Sequence, residues 1–212
     1  MKAITIKNII LPILVFGIFF IPFNSWSGIS FLGEYYRDSC FLFFAFAFIL
    51  LMFKRRIKIP IENIIFQFLI LFILWSILAT LFNAHNMVDY YFKQTSGISR
   101  FINQFGALII ISIIIPLTFY NGFKWINLNK TFRLIRRVVL ASLIVILIYS
   151  IIEILIVKFN MVNLKKPLLN LFDYFPFTEA KTDMRLRRIS SVTFEPPALG
   201  TYLLSIAGWM FS

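Results

Sequence analysis

The chain has 212 residues, of which 60% are hydrophobic and only 14% charged, with a mean hydropathy of +0.86. Soluble domains run at about 45–50% apolar and about 25% charged, so this composition belongs to an integral membrane protein. The apolar runs lack the alternation of an outer-membrane barrel, and the lone Cys40 excludes an internal disulfide. The lone His85 argues against a zinc site built on His and Cys, and no metal or other cofactor is expected.

In chain order, long apolar runs occupy residues 9–23, 39–53, 61–82, 105–120, 138–157 and 198–212. The predicted fold is all-α: one polytopic transmembrane helix bundle over residues 1–212, with five full spans and a sixth that ends inside the helix. The chain therefore reads as the first part of a longer protein. Lys2 and Lys7 ahead of a short apolar stretch imitate a signal peptide, but a retained first helix is the simpler reading for a chain that spans repeatedly.

The net charge of +12 sorts topology before it recognises anything, so no nucleic-acid partner is expected. Basic residues before and between the first five runs number two, one, four, two and five. Lys54, Arg55, Arg56 and Lys58 make the four, and Lys124, Lys130, Arg133, Arg136 and Arg137 make the five. With a cytoplasmic N-terminus, eleven lie inside and three outside, as the positive-inside rule asks. Residues 158–197 then form a long external loop that nonetheless holds seven basic residues. Long loops obey the rule weakly, yet cations kept outside also suit an anionic ligand.

That loop ends in the densest polar constellation of the chain. Arg185, Arg187 and Arg188 can grip a phosphate or pyrophosphate through paired N–H donors; the alternative is a solvated or headgroup-binding charge run. Glu195 precedes Pro196 and Pro197, which suit the first turn of a helix. Its place is therefore the outer mouth of the sixth span, where a helix N-terminus favours an anion. Ala198 and Gly200 leave that turn open to close approach.

Residues 188–204, Arg-Ile-Ser-Ser-Val-Thr-Phe-Glu-Pro-Pro-Ala-Leu-Gly-Thr-Tyr-Leu-Leu, resemble the arginine, small polar, Phe, Glu-Pro pattern of the O-antigen polymerase and ligase superfamily. They are most similar to its exopolysaccharide-polymerase branch. Five helices followed by a large external loop are similar to that family's first half. The resemblance implies a bacterial inner-membrane glycosyltransferase that polymerises oligosaccharide repeat units carried on polyprenyl pyrophosphate. It further implies inversion without metal or nucleotide sugar, and a second external loop that these residues lack, so that the 212 residues alone are expected to be inactive. The partners implied are polyprenyl-pyrophosphate-linked glycans, membrane lipids, a chain-length regulator and a flippase. Arg185, Arg187 and Arg188 would bind the pyrophosphate, Arg188 serving catalysis directly. Glu195 would be the catalytic base or, the favoured role, the residue that orients an arginine. The family's arginine-to-glycine spacing is one residue longer here, from Arg188 to Gly200, which leaves the choice of arginine open. A ligase of the same superfamily, or a lipid-linked oligosaccharide flippase or other transporter, is the alternative.

Two further residues are second-rank candidates. Glu153 is the only ionisable residue well inside a predicted helix, which marks it for function by default; pairing with Lys158 or a loop arginine is the simpler reading. His85 lies just past the third span, as a base or as a solvated loop residue. Residues 163–177 mix aromatics and leucines with Lys165, Lys166 and Asp173, and fit either a segment lying flat on the outer leaflet or ordinary packing on the bundle.

Overall fold

The computed structural model describes residues 7–26, 38–54, 56–88, 91–92, 95–167, 170, 177–178, 188–193 and 195–211. The architecture is all-α, and each of the six apolar runs contains a helix. The helices are α1 (Lys7–Phe19), α2 (Cys40–Phe53), α3 (Ile64–Phe82), a short α4 (Ala84–Val88), α5 (Gly97–Ile109), α6 (Ile115–Phe123), α7 (Leu128–Val157) and α8 (Pro196–Phe211). A π-turn, Ile110–Ile114, joins α5 to α6, and a 3₁₀ turn, Val162–Leu164, follows α7. A minimal antiparallel ladder, β1 (Tyr91–Phe92) on β2 (Thr95–Ser96), precedes α5.

Among the described residues, three helices are long and apolar enough to cross a membrane: α3, the continuous Gly97–Phe123 stretch and α7. The shorter α2, of 14 residues, is apolar throughout, and α1, of 13, is apolar after Lys7 and Asn8. Two helices begin well before their apolar runs. The Ser96 side chain accepts from Ser99 N at 3.3 Å, and the Asn127 side chain accepts from Asn129 N at 3.0 Å. These caps satisfy N–H groups that would otherwise lack partners, so residues 97–104 and 128–137, read from sequence as loop, are helical.

The chain divides into two compact units, Met1–Ala47 with Gly122–Ser212, and Phe48–Asn121. In the first, α1 packs on α7, and Phe20, Phe23, Ile146, Tyr149, Ile156, Val192 and Leu199 form the core. Phe177 lies edge-on to Phe20, Trp26 and Phe43 at 5.3, 5.3 and 5.8 Å between ring centres. Each such pair contributes about 0.5–1.5 kcal/mol beyond its buried area. Phe177 and Leu164 thus pack on the bundle, so at these two positions the segment does not lie flat on a lipid surface; residues 168–169 and 171–176 lie outside the described residues.

Close approach of α1 and α2 depends on Gly17. A Cβ there would meet the Phe44 ring, with Cδ1 at 2.8 Å, and Phe43 Cβ at 3.1 Å. Small residues at such crossings let helix backbones pack in a membrane, where burial from water no longer drives association. Gly17→Leu is therefore expected to destabilise by about 1–3 kcal/mol, the usual cost of overpacking. Heating the purified variant in detergent checks this, and a melting temperature equal to wild type would contradict the close approach.

In the second unit, buried Asn121 joins the segment before α3 to the end of α6. Its Oδ1 accepts from Lys58 N at 2.8 Å, and its Nδ2 donates to the Lys58 and Leu117 carbonyls at 3.0 and 2.9 Å. One side chain thus stands in for a peptide group and satisfies a non-helical segment. The π-turn has a local cause as well. Pro116 has no N–H to offer the Ser112 carbonyl and crowds it, and the ladder widens so that Ile115 N donates to Ile110 O.

Candidate functional site

α7 and α8 run antiparallel. The Arg136 guanidinium donates to the Met210 carbonyl at 3.3 Å, Phe132 stacks on Trp209 at 5.3 Å, and the Ser142 and Tyr202 hydroxyls are bonded at 2.9 Å. Where α8 begins, the chain makes a buried turn against the other half of α7. Glu153 is fully buried, and its carboxylate accepts from Ser191 N at 2.7 Å and from Ser190 N at 3.3 Å. Two successive backbone N–H groups converging on one anion is how backbone concavities hold negative charge. Here the anion is the protein's own side chain.

Further bonds close the turn on itself and on α7. The Ser191 hydroxyl donates to the Ile146 carbonyl at 3.1 Å, and Thr193 N donates to Ser190 O at 3.0 Å. The Thr193 hydroxyl reaches Ser190 O at 2.6 Å and Glu195 O at 2.9 Å. Ser191 holds a left-handed φ of 53°, a conformation that costs a non-glycine residue about 1 kcal/mol. Glu153 and Ile146 offset that strain by fixing both its N–H and its hydroxyl.

Depth distinguishes this turn from a surface loop. At about 1.5 Å per residue, Ile146 lies roughly 16 Å along α7 from the Val157 end, near the middle of the apolar run at 138–157. Ser191, Val192 and Thr193 are almost wholly buried, and Ser191 bonds to the Ile146 carbonyl at this level. Non-helical backbone at membrane depth is tolerated only where protein covers it or where it lines a cavity. The carboxylate, two hydroxyls and internal turn bonds make the first condition hold here.

The turn fixes what flanks it. Arg188, two residues before Ser190, is exposed. Glu195, after the turn, is also exposed, and its carbonyl accepts from Leu199 N at 3.2 Å, which makes it the residue that opens α8. Pro196 and Pro197 occupy the first turn of that helix, as expected. Nothing lies within 4 Å of where a Gly200 Cβ would stand, so the first turns of α8 are open there. Arg185 and Arg187 lie outside the described residues. His85 is exposed on the short α4, in the other compact unit from Glu153, Arg188 and Glu195.

For Glu153 the sequence points to Lys158 or a loop arginine; its described partners include the amides of Ser190 and Ser191, and the loop arginines Arg185 and Arg187 lie outside the described residues. Lys158 itself is exposed at the end of α7. Residues that sequence reasoning passed over are Ser190, Ser191 and Thr193, which form the turn, and Asp38. Asn24 Nδ2 donates to the Asp38 carboxylate at 3.3 Å. Burial pushes the Asp38 carboxyl above its ordinary range, and the bond from Asn24 offsets part of that rise. The only signal for the turn was a run of three hydroxyl residues ahead of Glu-Pro-Pro, which gives no depth. Among the described residues, no cluster of three or more His, Cys, Asp or Glu could hold a metal ion. No family model, curated protein or solved structure matches this chain.

Proposed function

We propose that this chain is part of a multi-spanning inner-membrane glycosyltransferase that polymerises polyprenyl-pyrophosphate-linked repeat units. Its N-terminus is cytoplasmic, α1 and α2 complete the count of five spans, and α8 is the sixth. The observation that carries the reading is the buried turn at residues 190–193. It holds exposed Arg188 on one side and the N-terminal end of α8 on the other, two features that suit an anion such as pyrophosphate, with the Glu195 carboxylate beside them as base or orienting group.

In the proposed reaction an acceptor hydroxyl attacks the anomeric carbon of the growing chain. The new glycosidic C–O bond forms as the C–O bond to pyrophosphate breaks, with inversion. The hydroxyl proton passes to a base or to solvent, and the lipid pyrophosphate departs with its charge neutralised by Arg188 and its neighbours. Glu195 serves as base or orients an arginine. Because arginine takes the part that a divalent ion plays elsewhere, polymer formation in membranes bearing the intact gene product is expected to survive chelator. Strict dependence on magnesium or manganese would overturn the reading.

Orientation has its own test. Cysteines introduced at Ser96 and Thr182 are expected to react with an impermeant label from the outer face, against a low background because Cys40 is buried. Labelling of both from the cytoplasm would reverse the topology and remove the site from the outer face. A second reading, a lipid-linked oligosaccharide transporter, gains one observation: non-helical backbone at membrane depth leading into a helix N-terminus is how many transporters bind anionic groups. Repeat units crossing the membrane without being joined would favour it.

A further inference from the structure

Between α3 and the helix running from α5 through α6 lies a cavity of about 390 Å³, wholly within the second unit. Its floor is the buried Leu117, its walls include the half-buried Phe66 and Leu69, and its rim carries exposed Ile65, Pro116 and Tyr120. The cleft is therefore apolar inside and open at the side. Pro116 and the π-turn widen the helix that forms one wall, and such turns cluster at functional sites.

The segment that leads into the cavity lining at Pro60 is basic. Asn121 binds both backbone groups of Lys58 and so ties that residue to the α6 wall, two residues before Pro60, which lines the cavity. Lys54 and Arg56 are exposed on the same segment, and Glu62 is the one acid close by in sequence among the described residues. Both walls belong to helices long and apolar enough to cross a membrane. In a bilayer, what meets an open apolar cleft on such helices is lipid hydrocarbon, and cations at the headgroup level select anionic lipids.

We propose that this cleft seats an acyl chain of an anionic phospholipid whose headgroup is held by Lys58. The inference is independent of the glycosyltransferase reading. The lysine side chain supplies the charge while its backbone holds Asn121, so Lys58→Gln removes the first and leaves the second. Ser112→Phe fills the lumen from the widened wall.

The test reconstitutes the chain in vesicles of phosphatidylcholine with a minority of phosphatidylglycerol, re-extracts it, and measures retained lipid by mass spectrometry. Wild type is expected to hold phosphatidylglycerol above its share in the vesicle. Lys58→Gln is expected to lower that enrichment about fivefold, the factor that one basic residue near an anionic surface supplies. Ser112→Phe is expected to lower retention of both lipids with helical circular dichroism unchanged. Retention in the vesicle's own proportions by wild type would overturn the proposal, as would enrichment unaltered in Lys58→Gln. A Ser112→Phe variant that turns a dimer into a monomer without losing lipid would give the cleft to a second copy of the chain and overturn it equally.

Discussion

Replacing Arg187 or Arg188 by alanine is expected to abolish polymer in membranes supplied with lipid-linked repeat units, and replacement by lysine to lose most of it. The guanidinium presents a rigid planar fork to pyrophosphate oxygens, whereas lysine offers a point charge. One charge-assisted contact that strengthens as the leaving group departs is worth on the order of 3 kcal/mol, or roughly 100-fold in rate. If the arginines merely bound headgroups, lysine would be nearly silent and alanine would lower the amount of protein in the membrane. Rate per molecule, at matched protein level, separates these outcomes, and wild-type chain length and rate in both lysine variants would reject the clamp. Glu195→Gln then divides the two roles of that carboxylate, because a base needs its charge while an orienting acceptor keeps an oxygen.

Glu153→Ala is expected to be the most destabilising single change in the first unit. It strips the acceptor from the half-buried Ser190 N–H and the buried Ser191 N–H, the second of which water does not reach. An orphaned buried donor costs about 1–3 kcal/mol; Ser191 N is buried while Ser190 is half-buried, so the loss is expected at roughly 1–3 kcal/mol from the first with a smaller part from the second. Glu153→Gln retains one acceptor oxygen but turns an NH₂ toward the second amide, so an intermediate loss is expected. Thermal unfolding in detergent measures both, and an alanine variant as stable as wild type would show that the turn does not rest on this carboxylate. Polymer formation should fall with the same ranking, since Arg188 and Glu195 take their positions from the turn. A Gln variant of wild-type stability without activity would give Glu153 a direct part in the chemistry.

That the chain is helical and apolar, with a helix in each long apolar run, was legible in the sequence, because a bilayer demands such runs and penalises every unpaired backbone group. The early starts of α5 and α7 were not, and among the described residues three helices are long enough to span. Pro196 and Pro197 announced the start of α8, and the caps Ser96 and Asn127 carried local information about α5 and α7. Glu153 stood out as a charge inside a helix, but its partners did not. The amides that hold it come from positions 37 and 38 residues away, and the Lys58–Asn121 pair spans 63. Neither pairing has a periodicity to read, since each arises only when helices distant in sequence pack together. Tertiary structure alone decided that Ser191 and Thr193 are buried, with Ser191 held on α7, and that Arg188 and Glu195 are exposed. The physical reason is that a hydroxyl-rich segment suits water or a buried carboxylate equally well, and only the packing of α1, α7 and α8 places the carboxylate there first.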